Sequence, residues 1–137
     1  MPITTVDVDL IISDEDFDEW LGGHVRSGPM QLQPSTWQDS KPARQYALDR
    51  VLEALRRRTP PIEYGQLQFP QELSLAVRYG AAEHLYQIAM STGVESDIYM
   101  QQRMLWEMKF NNEISGLTPT LEGGVRGAAG GFAVSRR

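Results

Sequence analysis

The chain has 137 residues, 41% apolar and 23% charged, an ordinary globular composition that excludes wholesale disorder, a fibrous repeat and a second large core. It contains no cysteine and two histidines, which removes disulfide scaffolds, thiolate metal sites and cysteine nucleophiles and leaves little for a histidine-rich metal centre. A formal net charge of −5 argues against holding nucleic acid by bulk attraction, leaving only a local basic patch for that purpose.

No stretch approaches the roughly 18 consecutive apolar residues of a membrane span, and the first residues lack the basic flank and apolar run of a secretory signal. The expected product is soluble and made in the cytoplasm. Seven of the eighteen acids fall between Asp7 and Glu19, before the first lysine or arginine, Arg26, which leaves eleven acids against thirteen bases in the rest. The chain therefore has an acidic head and a mildly basic body.

Val6, Val8, Leu10 and Ile12 alternate with Asp7, Asp9 and Ile11, and this period of two predicts a short N-terminal β-strand. Ser13 is placed to cap a helix over Asp14 to Leu21, with Asp14, Glu15 and Asp16 favoured near the positive end of its dipole. Phe17, Trp20 and Leu21 would form its buried side, and Gly22-Gly23 its stop. From Gly22 to Asp39 three glycines, two prolines and small polar residues predict a long loop that binds something or moves. A hairpin across Met30 to Trp37 is the alternative.

Pro42 suits a first helical turn after Ser40, and Ala47, Leu48, Val51, Leu52 and Leu55 make one stripe of a helix reaching Arg58. Arg56, Arg57 and Arg58 fall in its last turn, where cations suit the dipole, before Thr59-Pro60-Pro61. Ile62 to Phe69 alternates weakly and reads as extended. Pro70 then opens a long helix in which Leu73, Ala76, Val77, Gly80, Ala81, His84, Leu85 and Ile88 keep a three-four spacing to about Thr92-Gly93. Gly80 and Ala81 lower helix propensity at its middle, which points to close approach of a neighbouring helix.

Ser96 caps a fourth predicted helix, ending near Ser115 before Gly116. Its apolar residues occupy three sides: Ile98 and Leu105; Tyr99, Trp106 and Phe110; Met100, Met104 and Met108. A small domain cannot cover all of them by itself, and methionine and aromatic side chains are common where subunits meet. We therefore expect Tyr99, Met100, Met104, Trp106 and Met108 at a subunit interface. Five glycines between Gly123 and Gly131 make residues 117–137 a flexible arm after a 1–116 domain, unable to order itself by burial. Its end, Phe132, Val134, Arg136 and Arg137, is a candidate docking element.

The acidic head supplies hard oxygen ligands, yet it lacks the spacing of a calcium loop, and carboxylates on a strand followed by a helix would diverge. Divalent-metal enzymology at this cluster is one alternative reading; pairing with Arg56, Arg57 and Arg58 of a neighbouring copy is another. His84 lies on an apolar stripe and reads as a core or interface residue. His24 has no relay partner beside it, and no nucleophile elbow, zinc-helix motif or phosphate loop occurs. No enzymatic activity and no cofactor are expected. The arginine triplet leaves open a small helical DNA-binding regulator, although aromatic residues do not interleave with it.

From Ser40 onward the chain resembles the head–tail connector, or adaptor, proteins of tailed bacteriophages. The matching stretches are Ala43 to Arg58, the run Pro70-Gln-Glu-Leu-Ser-Leu-Ala-Val-Arg-Tyr-Gly-Ala-Ala-Glu-His-Leu-Tyr, and the Tyr99 to Gly116 helix with its low-complexity tail. They cover about two-thirds of the chain, in helix order and texture. The resemblance implies a mainly α fold, a small bundle of three to four helices with extended loops, in a virion protein of the neck. It implies a ring, commonly a dodecamer, that joins the portal protein to the next tail component and lets DNA pass unbound. Portal contact would fall to the C-terminal arm. The acidic N-terminal segment and the 22–39 loop lie outside the resemblance.

Overall fold

The computed structural model describes residues 6–25, 40–91 and 97–123. Its helices are α1 (Asp14–Val25), α2 (Lys41–Arg56), α3 (Ser74–Ser91) and α4 (Asp97–Gly116), with single 3-10 turns at Val8–Leu10, Tyr64–Gln66 and Pro70–Leu73. The protein is thus the mainly α, small helical bundle expected.

α3 packs against both α2 and α4, and Gly80 marks where the three meet. A Cβ added there would lie 2.7 Å from Phe110 Cε1 of α4 and 2.9 Å from the Ala47 Cβ of α2. The glycine that weakens α3 locally is what lets two helices approach it closely. Around this crossing Ala47, Leu48, Val51, Leu55, Ala76, Val77, Ala81 and Leu85 are all buried. They lie on the stripes predicted for the two helices.

The predicted N-terminal strand is not formed. Asp7 caps a 3-10 turn by accepting from the Asp9 N–H at 3.0 Å. Val8, Ile11 and Ile12 are buried while Leu10 is 64% exposed. The buried spacing is therefore three and one, not two. The backbone finds its partners on a side chain: Gln45 of α2 accepts from Val8 N at 3.1 Å and donates to the Val6 carbonyl at 2.7 Å. With Gln45 meeting both groups, no paired strand is required there.

Ser13 caps α1 as expected, its hydroxyl accepting from Asp16 N at 3.2 Å, and Phe17 and Leu21 are buried. The helix does not stop at Gly22-Gly23 but continues to Val25. Glycine permits the left-handed stop without enforcing it, and staying helical costs about 1 kcal/mol per residue. Of the expected 22–39 loop, residues 26–39 lie outside the described residues.

Two further boundaries move. Ile62 to Phe69 is extended only in part, because Tyr64–Gln66 forms a 3-10 turn. The domain also does not end at Gly116. Leu117 and Pro119 are buried, and Leu121 forms an antiparallel bridge with Leu67. Gln68 N donates to Thr120 O at 2.9 Å, Glu122 N to Gln66 O at 2.8 Å, and Thr120 N to the Glu72 carboxylate at 2.7 Å. Residues 117–123 thus belong to the folded body, and Gly123, at φ +88°, turns the chain at the end of this pairing as glycine readily does. The rest of the predicted arm, 124–137, lies outside the described residues.

Candidate assembly surface

α4 has a sharply divided circumference. At 100° per residue, Tyr99, Trp106 and Phe110 share the side toward the bundle, and all three are buried. Tyr99 meets Tyr86 edge-on with ring centroids 5.5 Å apart, and Trp106 meets Trp20 at 5.5 Å and Tyr79 at 5.9 Å. Burial pushes the Tyr86 phenol pKa well above its ordinary value. These aromatic rings hold α4 on α3 and α1.

The opposite side faces outward. Met100 is 39% exposed, Met104 56%, Leu105 36% and Met108 54%. Between them stand Gln101, Asn111, Asn112 and Ser115, also exposed. From Met100 to Ser115 no exposed side chain of α4 is charged. The charged residues of that span are half-buried along the two edges. Arg103 donates to buried Glu83 at 3.1 Å on one edge, where Glu107 follows one turn later. On the other edge, Lys109 lies 5.2 Å from the Trp106 ring centroid, with Glu113 beyond it. A charge-depleted, methionine-rich strip with charged edges has the composition of a protein interface core and rim.

The five residues expected at a subunit contact therefore separate. Met100, Met104 and Met108 lie together on the exposed side, joined by Leu105, whereas Tyr99 and Trp106 are committed within their own subunit. The sequence presented three apolar sides without saying which of them the domain would cover. The absence of charge at positions 100, 101, 104, 105, 108, 111, 112 and 115 was the available signal for the outward one.

The arginine triplet also separates. Arg58 is 8% exposed and donates to Leu117 O at 2.5 Å and Ile114 O at 2.6 Å, joining the Leu117 N–H, which donates to the same Ile114 carbonyl at 3.2 Å, in closing the C-terminal end of α4. Burial lowers its pKa, and the paired carbonyls offset its desolvation. Arg56 approaches Glu63 at 3.5 Å, and Arg57, 76% exposed, approaches Glu53 at 3.4 Å. The three do not form a common patch for a neighbouring subunit or for nucleic acid, because the chain turns Arg58 inward.

The acidic head converges on cations of its own chain. Arg44, fully buried in α2, donates to Asp14 at 2.5 Å, Asp9 at 2.7 Å, the Ile12 carbonyl at 2.7 Å and Ser40 Oγ at 2.9 Å. Lys41 lies 3.0 Å from Asp9 and 3.3 Å from Asp7. The Arg44 guanidinium, assisted by Lys41, holds the Asp9 carboxyl below its usual pKa, and Asp9 and Asp7 in turn raise that of Lys41. This guanidinium stands where the metal reading required a cation, and the head is not left free for a second subunit's arginines. Among the described residues no group of three or more histidines and acids could hold a metal ion.

His84 is half-buried and stacks on Tyr46 with ring centroids 4.3 Å apart, bridging α3 and α2 as a packing residue. Burial lowers its pKa against the opposing effect of Glu83. Phe132, Val134, Arg136 and Arg137 lie outside the described residues. Among those described, no helix is long and apolar enough to cross a membrane.

Compared with known protein families, curated proteins and solved structures, the chain matches none.

Proposed function

We propose that the chain is a structural subunit of a tailed-phage virion: a head–tail connector that assembles as a ring between portal and tail. The observation that carries this reading is the outer side of α4, which bears no charge from Met100 to Ser115. A small helical subunit that keeps three methionines and a leucine in water on its longest helix is suited to bury them against other subunits. Its role is mechanical, with no chemical step, and the ring sits in the neck of the virion. Repeated around a channel, the net negative charge would keep the ring from gripping passing DNA. Portal contact falls to the C-terminal residues, with Phe132 and Val134 as apolar anchors and Arg136 and Arg137 as charged ones.

The test is co-expression with the portal protein of the same phage, followed by negative-stain microscopy. A second ring stacked on the portal is expected. Deleting residues 124–137 should abolish that complex while circular dichroism still reports a helical protein. A portal that remains bare in the presence of the intact chain overturns the reading.

A further inference from the structure

We propose that the free protein is a two-fold dimer in which the outer side of α4 packs antiparallel against the same side of a second copy. The first reason is chemical matching. Burying charge against an uncharged strip costs desolvation without a partner. The outward faces of two other helices are charged, α1 presenting Glu15, Asp16 and Glu19 and α2 presenting Lys41, Asp49, Glu53 and Arg57, while α3 exposes only Gln87 among its described side chains. The strip on α4 is free of charge from Met100 to Ser115, with Asp97 preceding it in the first turn of the helix, and its methionines suit one another's irregular shapes. Its amide side chains carry both donors and acceptors, so each strip satisfies a copy of itself.

The second reason is the edge. Arg103 and Glu107 stand four residues apart on one side of the strip and carry opposite charges. A two-fold axis perpendicular to antiparallel helices brings like edges together and reverses their direction. With the axis at Leu105, Arg103 of each copy faces Glu107 of the other, so the pair forms twice. Arg103 already uses one nitrogen on Glu83, and a guanidinium has donors to spare. The dimer is thus isologous, with a fixed register. Four partly exposed apolar side chains are far fewer than the roughly 20–30 residues a standard interface engages on each side, so the dimer yields to competition. On the connector reading, and resting on it, the dimer is a stored form that shields the assembly surface until ring formation displaces it.

Register makes the proposal testable in a chain without cysteine. With axes about 9 Å apart and Cα atoms about 2.3 Å from each axis, the two Met104 Cα atoms fall about 6 Å apart, within disulfide reach. The two Met100 Cα atoms fall at least about 15 Å apart. Light scattering on the intact protein should give twice 15.5 kDa, and the double variant Met104→Lys, Met108→Lys should halve that mass. Under mild oxidation Met104→Cys should form a covalent dimer and Met100→Cys should not. A 15.5 kDa species throughout a concentration series overturns the proposal. So does an oligomer in which Met104→Cys fails to cross-link, which marks a head-to-tail contact, or one in which Met100→Cys links as readily, which marks parallel helices. The cysteine variants preserve the strip's lack of charge, so the cross-linking pattern remains decisive even if the lysine variant misfolds. None of these measurements involves the portal, so a failed dimer and a failed connector are separate results.

Discussion

Replacing Gly80 by alanine tests the central packing, because two opposing effects of known size act at one atom. In a helix interior alanine is favoured over glycine by about 1 kcal/mol, so an unconstrained site would gain stability. Here the new methyl would meet Phe110 Cε1 at 2.7 Å and the Ala47 Cβ at 2.9 Å. The Ala47 Cβ is fixed to the α2 backbone and has no rotamer to escape into. The Phe110 ring lies beneath Arg50, whose guanidinium carbon is 4.5 Å from the ring centroid. Overpacking typically costs about 1–3 kcal/mol, and with contacts on two helices the upper end applies, leaving a net loss of about 2 kcal/mol after the propensity gain. For a domain of this size that lowers the melting temperature by about 10 °C. Urea unfolding should show an earlier midpoint with an unchanged slope. Adding Ala47→Gly, which alone costs about 1 kcal/mol in helix propensity, should leave the double variant no less stable than Gly80→Ala, a coupling of about 1 kcal/mol between the sites. A Gly80→Ala protein as stable as the parent, or more stable, refutes the three-helix crossing.

The polar clasps give further expectations. Arg44→Ala should cost about 3 kcal/mol in urea unfolding, since it removes a buried cation bonded to four acceptors, and Arg44→Lys should recover less than half because one ammonium cannot reach them all. Asp9 has a lowered pKa in the fold, so its contribution is complete above the unfolded value near 3.8 and is lost as pH falls through the lower folded value. Asp9→Asn should flatten that acid limb in thermal melts. The His84 pKa is also lowered, chiefly by burial, with Glu83, Arg50 and Gln87 as its other influences and Tyr46 stacked on its face. Stability should therefore decline as pH falls below about 6.5, and His84→Gln should remove that component of the melting profile. Arg58→Gln should cost about 2 kcal/mol, chiefly through the Leu117 carbonyl, since the Ile114 carbonyl keeps the Leu117 N–H. It should also speed proteolysis in the 117–123 segment, which limited digestion with mass spectrometry reads directly.

By itself the sequence determined the helical class and most of the buried stripes. Leu48, Val51 and Leu55, and Val77, Ala81 and Leu85, repeat at spacings that only a helix gathers onto one side. It also determined that Gly80 marks a close approach, since a mid-helix glycine lowers local stability unless packing compensates. Only the tertiary structure decided the rest, because each remaining question concerned partners distant in the chain. The alternating residues of the N-terminal segment became a 3-10 turn once Gln45 on α2 met their backbone groups. The acidic head is drawn together by Arg44, about thirty residues onward, a pairing that charge counting cannot locate. Arg58 left its triplet to cap a helix end 56 residues away, and the start of the expected arm became folded by pairing with residues 66–68. Above all, tertiary packing chose which apolar sides of α4 to bury. Its aromatic side fits against Trp20, Tyr79 and Tyr86, and the methionine side, beyond the reach of any other described helix, is left exposed.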